Sequence, residues 1–406
     1  MDRRWIEATL DGIARFGKGE RGFSRLVFGD AECAAVDHLA GLMREAGLAV
    51  RRDAFGNLIG RLEGREPGAP AVATGSHLDT VPEGGNFDGV TGVVAGLGAV
   101  MRLTASGRPR HPLEVLCFRG EESSRFSVGT MGSKAMTGAA SLEAWRKLQD
   151  HGGTTLAQAL AARGLDLERL PEAVRRPGEL KAFVELHIEQ GPVLEEAGIP
   201  IGVVEAIAAP IRLKVTVEGM ASHSGTTPMG KRRDALVTAA HIVLAVQEEA
   251  TRRADRRIVG TVAVMKVHPG AINVVPGRVE MWVDLRGIDA ETLAVAQAVR
   301  DAAAAIALRE GTAAHIETLS AETPVPMNAT VVAAIEAACQ RLGLAARRMP
   351  SGAGHDAMNL AKIAPAGMIF IPCRGGVSHN PAEHASLDAI CTGMEVLAET
   401  LRQLAQ

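Results

Sequence analysis

Neither sign of charge dominates this chain of 406 residues: 44 lysines and arginines face 47 aspartates and glutamates, a net charge of -3. That balance offers no basic surface for a nucleic acid or an anionic membrane, which favours a small-molecule role. No apolar run approaches the ~18 residues of a membrane span. VTGVVAGLGAV from Val90, the most apolar glycine-bearing stretch, reads as a buried helix. In the N-terminal MDRRWIEATLDG, acidic residues stand where a secretory signal needs an apolar core. The five cysteines (Cys33, Cys117, Cys339, Cys373, Cys391) are odd in number, far apart and never spaced CxxC, which predicts reduced thiols. No internal repeat is visible. These absences together predict a soluble, cytoplasmic protein.

What is abundant is ordinary globular material, 47% apolar and 22% charged, in a chain long enough for two domains or one large one. From Asp30 to Gly47 helical apolar spacing closes on a glycine stop. Strand-like runs at Ala71 to Thr74, Leu113 to Phe118 and Ala182 to Ile188, separated by helical stretches such as Val90 to Leu103, predict an α/β sheet. The texture changes near Ile211, where IRLKVTVEG alternates with period 2. A helix pattern from about Arg232 to Arg253 follows, then strands IVGTVAVMKV and RVEMWVDLR. A helix from about Ala290 to Arg309 and a strand near HIETLS complete a β-α-β-β-α-β order, the ferredoxin-like plan. After Thr323-Pro324 the α/β texture returns, with a helix from Val331 to Leu342, a strand from Met368 and a C-terminal helix around Leu387 to Leu404. A smaller domain over 210–323 is therefore expected as an insert in a larger one built from 1–209 and 324–406. The spacing from Gly138 to Pro177 is helical and irregular and does not place that segment.

The chemistry-bearing residues recur in one setting. GSHLDTVPEGGNFDG puts His77 at the C-terminal end of a strand, where open α/β sheets hold their ligands, with Asp79 two residues on and Asp88 beyond a glycine-rich loop. Glu121 and Glu122 follow the strand LEVLCF; adjacent carboxylates point different ways in extended backbone, so one can bind metal while its neighbour faces substrate and water. FVELHIEQG supplies His187 and Glu189 at another strand end, and CRGGVSHNPAEH supplies His379 and His384. Imidazole and carboxylate donors in such numbers suit a borderline divalent metal. Any one group alone is more often a surface turn. Four at strand ends of one sheet are harder to dismiss. In the inserted segment, His223 lies among small residues, and Arg286 ends a strand whose apolar face is Val279, Met281, Val283 and Leu285; by pattern alone they read as a loop histidine and a solvated arginine.

In this order and across nearly the whole chain, GSHLDTVPEGGNFDG, EESSRF, ELHIEQG, HSGTTPMGKRRDA, NVVPGRV, SGAGHDA and SHNPAE resemble the dinuclear metal amidohydrolases related to aminoacylases and carboxypeptidase G, in their hydantoinase/carbamoylase branch. The resemblance implies a metallopeptidase-like catalytic domain with a central mixed sheet, and an inserted lid and dimerisation domain. It implies two divalent ions per subunit, with zinc preferred and manganese, cobalt or nickel suited as well. Asp88 would bridge them, His77 and His187 completing one site, Glu122 and His379 the other. Glu121 would be the general base. Gln190, His223, Asn273 and Arg286 match substrate-binding positions, Arg286 gripping a carboxylate and His223 steadying the oxyanion. His355 lies in a motif that approaches the site, without an assigned role. A homodimer is implied, with no nucleic-acid or membrane partner.

The expected activity is hydrolysis of an N-carbamoyl-L-amino acid to the L-amino acid, CO2 and ammonia. Allantoate amidohydrolase is the nearest rival; an N-acyl-amino acid hydrolase or a non-catalytic binding protein for an amino-acid derivative ranks below it. Ser123 in EESSRF replaces the branch's usual glycine, and IAAPIR replaces a glycine-containing hinge, which bears on specificity and lid motion rather than on the carboxylates.

Overall fold

Apolar runs in the N-terminal half become strands buried on both faces. The computed structural model describes residues 3–105, 107–253, 257–288 and 291–406. It divides into one compact unit of Met1–Glu205 with Met327–Gln406, and a second of Ala206–Pro326. The first unit opens with strands Ala49–Arg52 (β1), Leu58–Leu62 (β2), Ala71–His77 (β3), Leu113–Phe118 (β4), Leu180–Ile188 (β5) and Ile201–Ile207 (β6). In the second lie Ala209–Glu218 (β7), Ser222–His223 (β8), Val259–His268 (β9), Val274–Val275 (β10), Arg278–Gly287 (β11) and Ala313–Ala321 (β12). Val325–Pro326 (β13), Ala346–Ser351 (β14) and Ala366–Ile371 (β15) follow.

The first unit's sheet runs β1-β2-β4-β3-β5-β15-β6, with β14 also paired to β6. β4, β3, β5 and β15 are parallel neighbours, while β2 and β6 flank them antiparallel, so the sheet is mixed. Every residue of β3 and β4 is buried, which explains why they do not alternate between apolar and polar as a one-faced strand does. Helix Val90–Ala105 is buried from Val90 through Val100 and packs on β3 and on the C-terminal helix Leu387–Leu404. The parallel strands bring the C-terminal ends of β3, β4 and β5 to one edge of the sheet, and the loops leaving them carry the candidate ligands.

Between Gly138 and Pro177 the chain forms helices of four to seven residues, Leu142–Trp145, Leu156–Ala161 and the 3-10 turn Leu167–Ala173. They bury Trp145, Leu156, Leu160, Leu167 and Leu170 against Phe28, Phe55 and Phe126 in a satellite core. Helices this short give no periodicity to read, since a pattern needs a window of about 11–18 residues.

In the second unit the four-stranded antiparallel sheet is ordered β12-β7-β11-β9. The alternation of IRLKVTVEG and RVEMWVDLR turns Leu213, Val215, Met281, Val283 and Leu285 inward against helices Ala235–Thr251 and Glu291–Arg309. Ala290, where the spacing starts the second helix, lies outside the described residues. Asp234 caps the first helix by accepting from the amides of Leu236 and Val237. β13 pairs Val325 with Ile207 and Pro326 with Ala206, where the chain leaves and re-enters the first unit. Among the described residues no helix is long and apolar enough to cross a membrane, and the five cysteines are free.

Candidate metal centre

A single carboxylate lies between three imidazoles. Asp88 Oδ1 is 3.1 Å from His187 Nε2 and 3.4 Å from His77 Nε2, while its Oδ2 is 3.5 Å from His379 Nε2. His379 Nε2 is in turn 3.1 Å from Glu122 Oε1. Two ligand-like groups result, His77-Asp88-His187 and Asp88-Glu122-His379, each with donor atoms within 4.8 Å of one another. They share Asp88, one oxygen turned toward each pair of partners. The loop reaches this position because Gly89 has φ 66°, and a Cβ there would collide with the His77 ring.

Backbone carbonyls set the tautomers. His77 Nδ1 lies 3.0 Å from the Asp79 carbonyl oxygen, and His187 Nδ1 lies 2.9 Å from that of Ile188. A carbonyl only accepts, so each Nδ1 carries the proton and each Nε2 presents its lone pair to the Asp88 side. Asp79 contributes twice: its carboxylate accepts from the amides of Glu121 (3.2 Å) and Glu122 (2.9 Å), tying the two-glutamate turn to the His77 loop. Beneath that turn, the buried Arg119 guanidinium is paired with the buried Glu32 carboxylate, Nη2 donating to Oε2 at 2.5 Å.

The histidines and carboxylates of this cluster shift one another. Burial disfavours the His77 imidazolium, yet hydrogen bonding to Asp79 and Asp88 outweighs it and lifts its pKa well above the ordinary value. His187 is raised in the same way, chiefly by Asp88 against the effect of burial. Hydrogen bonds to Asp88 and Glu122 hold His379 up at about 10. Burial opposes ionisation of Asp88, but His187, His379 and His77 depress its carboxyl well below the usual range. Burial, reinforced by Glu122 and opposed by His77, pushes Glu121 well above the usual glutamate value; its Oε2 lies 3.8 Å from His77 Nε2.

Of the other expected residues, Gln190 belongs to this cluster: its Nε2 donates to Asp88 Oδ2 at 2.6 Å, and its Oε1 is buried without a partner. His223, Asn273 and Arg286 belong to the second unit. There β8 pairs with β10, His223 opposite Val274, and the Ser224 amide donates to the Asn273 carbonyl, so His223 and Asn273 are local neighbours. Arg286 lies near the end of β11 on the face away from the core and donates through Nε to Asp284 Oδ1 at 2.9 Å. Glu189 accepts from the amides of Val193 and Leu194 and caps the helix that starts there. His384 packs edge-on against Phe87 with ring centroids 5.1 Å apart. Cavities of about 520 Å³ at Arg52, Met136, Leu165 and Arg175, and of about 580 Å³ at Leu194, Cys373, Arg374 and His384, share no residue with either group.

Two participants lie in motifs that gave them no role. His355 is buried edge-on to His187, centroids 4.6 Å apart, with its Nε2 2.8 Å from Ser351 Oγ; burial and then the charge of His187 keep its pKa well below normal. Glu383 accepts from the amides of Phe87, Asp88 and His379. Its place at the end of SHNPAE was the available clue.

A family model described as "Peptidase family M20/M25/M40" matches residues 73–403, a span that takes in every ligand-like residue above. The chain belongs to this family. Within the M20/M25/M40 peptidases it falls in the hydantoinase/carbamoylase branch. It is 47% identical over 387 residues to an N-carbamoyl-L-amino acid amidohydrolase of Geobacillus stearothermophilus, covering 95% of this chain and 94% of that one. It is 39% identical to the allantoate amidohydrolase of Escherichia coli (strain K12), covering 99% and 98%. The crystal structure of a hydantoinase/carbamoylase family amidase from Burkholderia ambifaria superposes with a TM-score of 0.92 at 37% identity, covering 100% of this chain and 98% of that one. The chain is accordingly a hydrolase of carbon–nitrogen bonds, in a family that depends on a dinuclear metal site. Its donor set fits such a group: Nε2 lone pairs from tautomer-locked histidines and carboxylate oxygens converge from two sides on Asp88.

Proposed function

We propose that this protein hydrolyses N-carbamoyl-L-amino acids, R-NH-CO-NH2 plus water giving R-NH2, CO2 and ammonia. The observation that carries this reading is the 47% identity over 95% of the chain to a relative of that name. The proposed ligands are His77, Asp88 and His187 for one cation and Asp88, Glu122 and His379 for the other. Zinc is the proposed ion; manganese, cobalt and nickel suit the same mixed donors. When bound, the two cations supply Lewis-acid polarisation of the scissile carbonyl and of the attacking water.

The chain's own residues do the rest. Glu121, beside the ligands yet outside both groups, takes the proton from the attacking water on its carboxylate and delivers it to the leaving nitrogen. Gln190 orients the substrate beside Asp88. His223 steadies the developing oxyanion, Asn273 binds substrate, and Arg286 grips the substrate carboxylate through its planar fork. These three sit in segment 210–323, proposed as a lid that closes over bound substrate and excludes water, and as the contact of a homodimer. Exposed Val259, Val264 and Met265 on the edge strand β9 support the dimer contact.

The test is ammonia release by metal-stripped protein restored with zinc, manganese or cobalt, presented with N-carbamoyl-L-amino acids, their D-forms, allantoate and N-acetyl-amino acids. Metal-dependent turnover of the L-carbamoyl compounds is expected. Turnover of allantoate alone would establish the second reading, which the 39% identity to an allantoate amidohydrolase over 99% of the chain favours next.

A further inference from the structure

The two ligand groups are held by different means. His77 ends β3 and His187 lies within β5, each with its Nδ1 fixed on a backbone carbonyl. Glu122 hangs from a turn tied to the Asp79 carboxylate. His379 has no such scaffold: it sits in the loop after β15, its side chain half-exposed, its φ of 55° in a region that costs a non-glycine residue energy.

Glu383 is the group that reaches both sides. It is buried, 4% exposed, and its Oε1 accepts from the amides of Phe87 and Asp88 at 2.9 Å each. Its Oε2 accepts from the His379 amide at 3.3 Å and faces Ser378 Oγ at 3.0 Å. Ser378 Oγ is also 2.7 Å from Asp88 Oδ2, and has one proton to share between the two carboxylates. The loop holding Asp88 comes this close because Gly85 has no Cβ, which would collide with Glu383 Oε1. The loop bearing His379 is closed at its base by the Arg374 amide donating to the His384 carbonyl at 2.8 Å.

We propose that Glu383 is the positioning residue that assembles the metal centre, fixing the backbone of the shared ligand Asp88 and of the loop ligand His379 at the same time. This inference rests on the dinuclear reading above. Glu383 belongs to neither ligand group and acts through the two ligands whose backbone it holds. The chemistry requires a carboxylate, because donors converge on both of its oxygens. A glutamine offers one acceptor oxygen, so in either orientation its NH2 faces backbone amides or Ser378 and one loop is released. The group that depends on His379 then weakens first, while the strand-borne histidines keep theirs.

The experiment is a cobalt titration of metal-stripped full-length protein, following visible absorption and bound-metal stoichiometry, for wild type, Glu383→Gln and Glu383→Asp, with the melting temperature of each stripped form as a control. Two ions per chain are expected for wild type. Glu383→Gln should keep the first at near wild-type affinity and bind the second about 10–100-fold more weakly, the usual cost of removing a group that orients a ligand. Glu383→Asp, which keeps two acceptors at shorter reach, should recover part of that loss. Unchanged binding of both ions by Glu383→Gln would overturn the inference. So would equal weakening of both sites together with a large fall in the stripped melting temperature, the mark of a purely structural residue. If Glu383→Gln does not fold, Glu383→Asp is decisive: wild-type affinity for the second ion overturns the inference and a selective loss supports it. Fewer than two ions on wild type would instead bring down the dinuclear reading itself.

Discussion

The two units of this molecule bury different things. Among the described residues, every buried charged side chain belongs to the first unit, from Arg25 and Glu32 through His77, Asp88 and His187 to Asp356 and Glu383. Among its described polar residues the second unit buries only Thr238 and Thr292, and its core is aliphatic. Its charged pairs lie on the outer surface of the helices, as in Arg252-Glu248, and on the open side of a one-faced sheet, as in Arg212-Asp284 and Arg286-Asp284. A buried ionisable group is costly unless paired, so a fold keeps many of them only where they do chemistry or hold chemistry in place. The burial contrast fits the proposal that proton transfer belongs to the first unit and substrate binding to the second.

The largest effect that would sharpen this contrast is on turnover. Glu121→Gln should lower kcat about 10²–10⁴-fold with bound metal unchanged, because the amide keeps the shape of the proposed general base and loses the proton transfer. Ammonia-release kinetics beside metal analysis decide it, and near-normal kcat would move the base elsewhere.

Next in size is a stability effect confined to the first unit. Glu32→Ala leaves the Arg119 guanidinium buried without its carboxylate partner. The expected cost is about 3–5 kcal/mol in urea unfolding. A cost under about 1 kcal/mol would mean that water reaches Arg119, and that this interior is less dry than its burial implies.

A substitution in the second unit should alter binding more than chemistry. Arg286→Lys exchanges a planar two-pronged donor for a point charge and should raise KM about tenfold, the worth of one charged hydrogen bond, with a smaller change in kcat. A fall confined to kcat would assign Arg286 to the reaction instead of to the substrate carboxylate. Smallest of all, Arg212→Ala removes one partner of a 3.3 Å pair whose arginine side chain is about half exposed, and should shift stability by less than about 1 kcal/mol. A loss as large as that for Glu32→Ala would erase the distinction between the units.

The sequence disclosed these regions unequally. β7 and β11 were readable residue by residue, since a one-faced sheet prints its burial as strict alternation. β3 and β4 were readable as apolar runs, with the donors waiting at their ends. β1, β2, β6 and β14 were not singled out: β1 is a four-residue, mostly exposed strand, and β14 is exposed along its first half, so neither prints a run or an alternation. The short helices between Gly138 and Pro177 were recognisable only as irregular, because their order comes from packing around Phe28, Phe55 and Trp145.

The donors themselves were legible, because imidazoles and carboxylates at strand ends are few and carry their chemistry in their side chains. Their supports were not. Glu383 meets the Asp88 amide across 295 residues of chain, and no local pattern encodes a contact at that separation. The Asp79 carboxylate sits beside His77 in the sequence but accepts from Glu121 and Glu122, 42 and 43 residues away.

By itself, then, the sequence determined which atoms are available for metal and proton chemistry and which elements present them, since residue type and periodicity are local properties. Only the tertiary structure decided that one oxygen of Asp88 faces His77 and His187 while the other faces His379, and that Glu383 holds both loops to that geometry. Directional contacts between distant segments exist only once the sheet has brought its strand ends together.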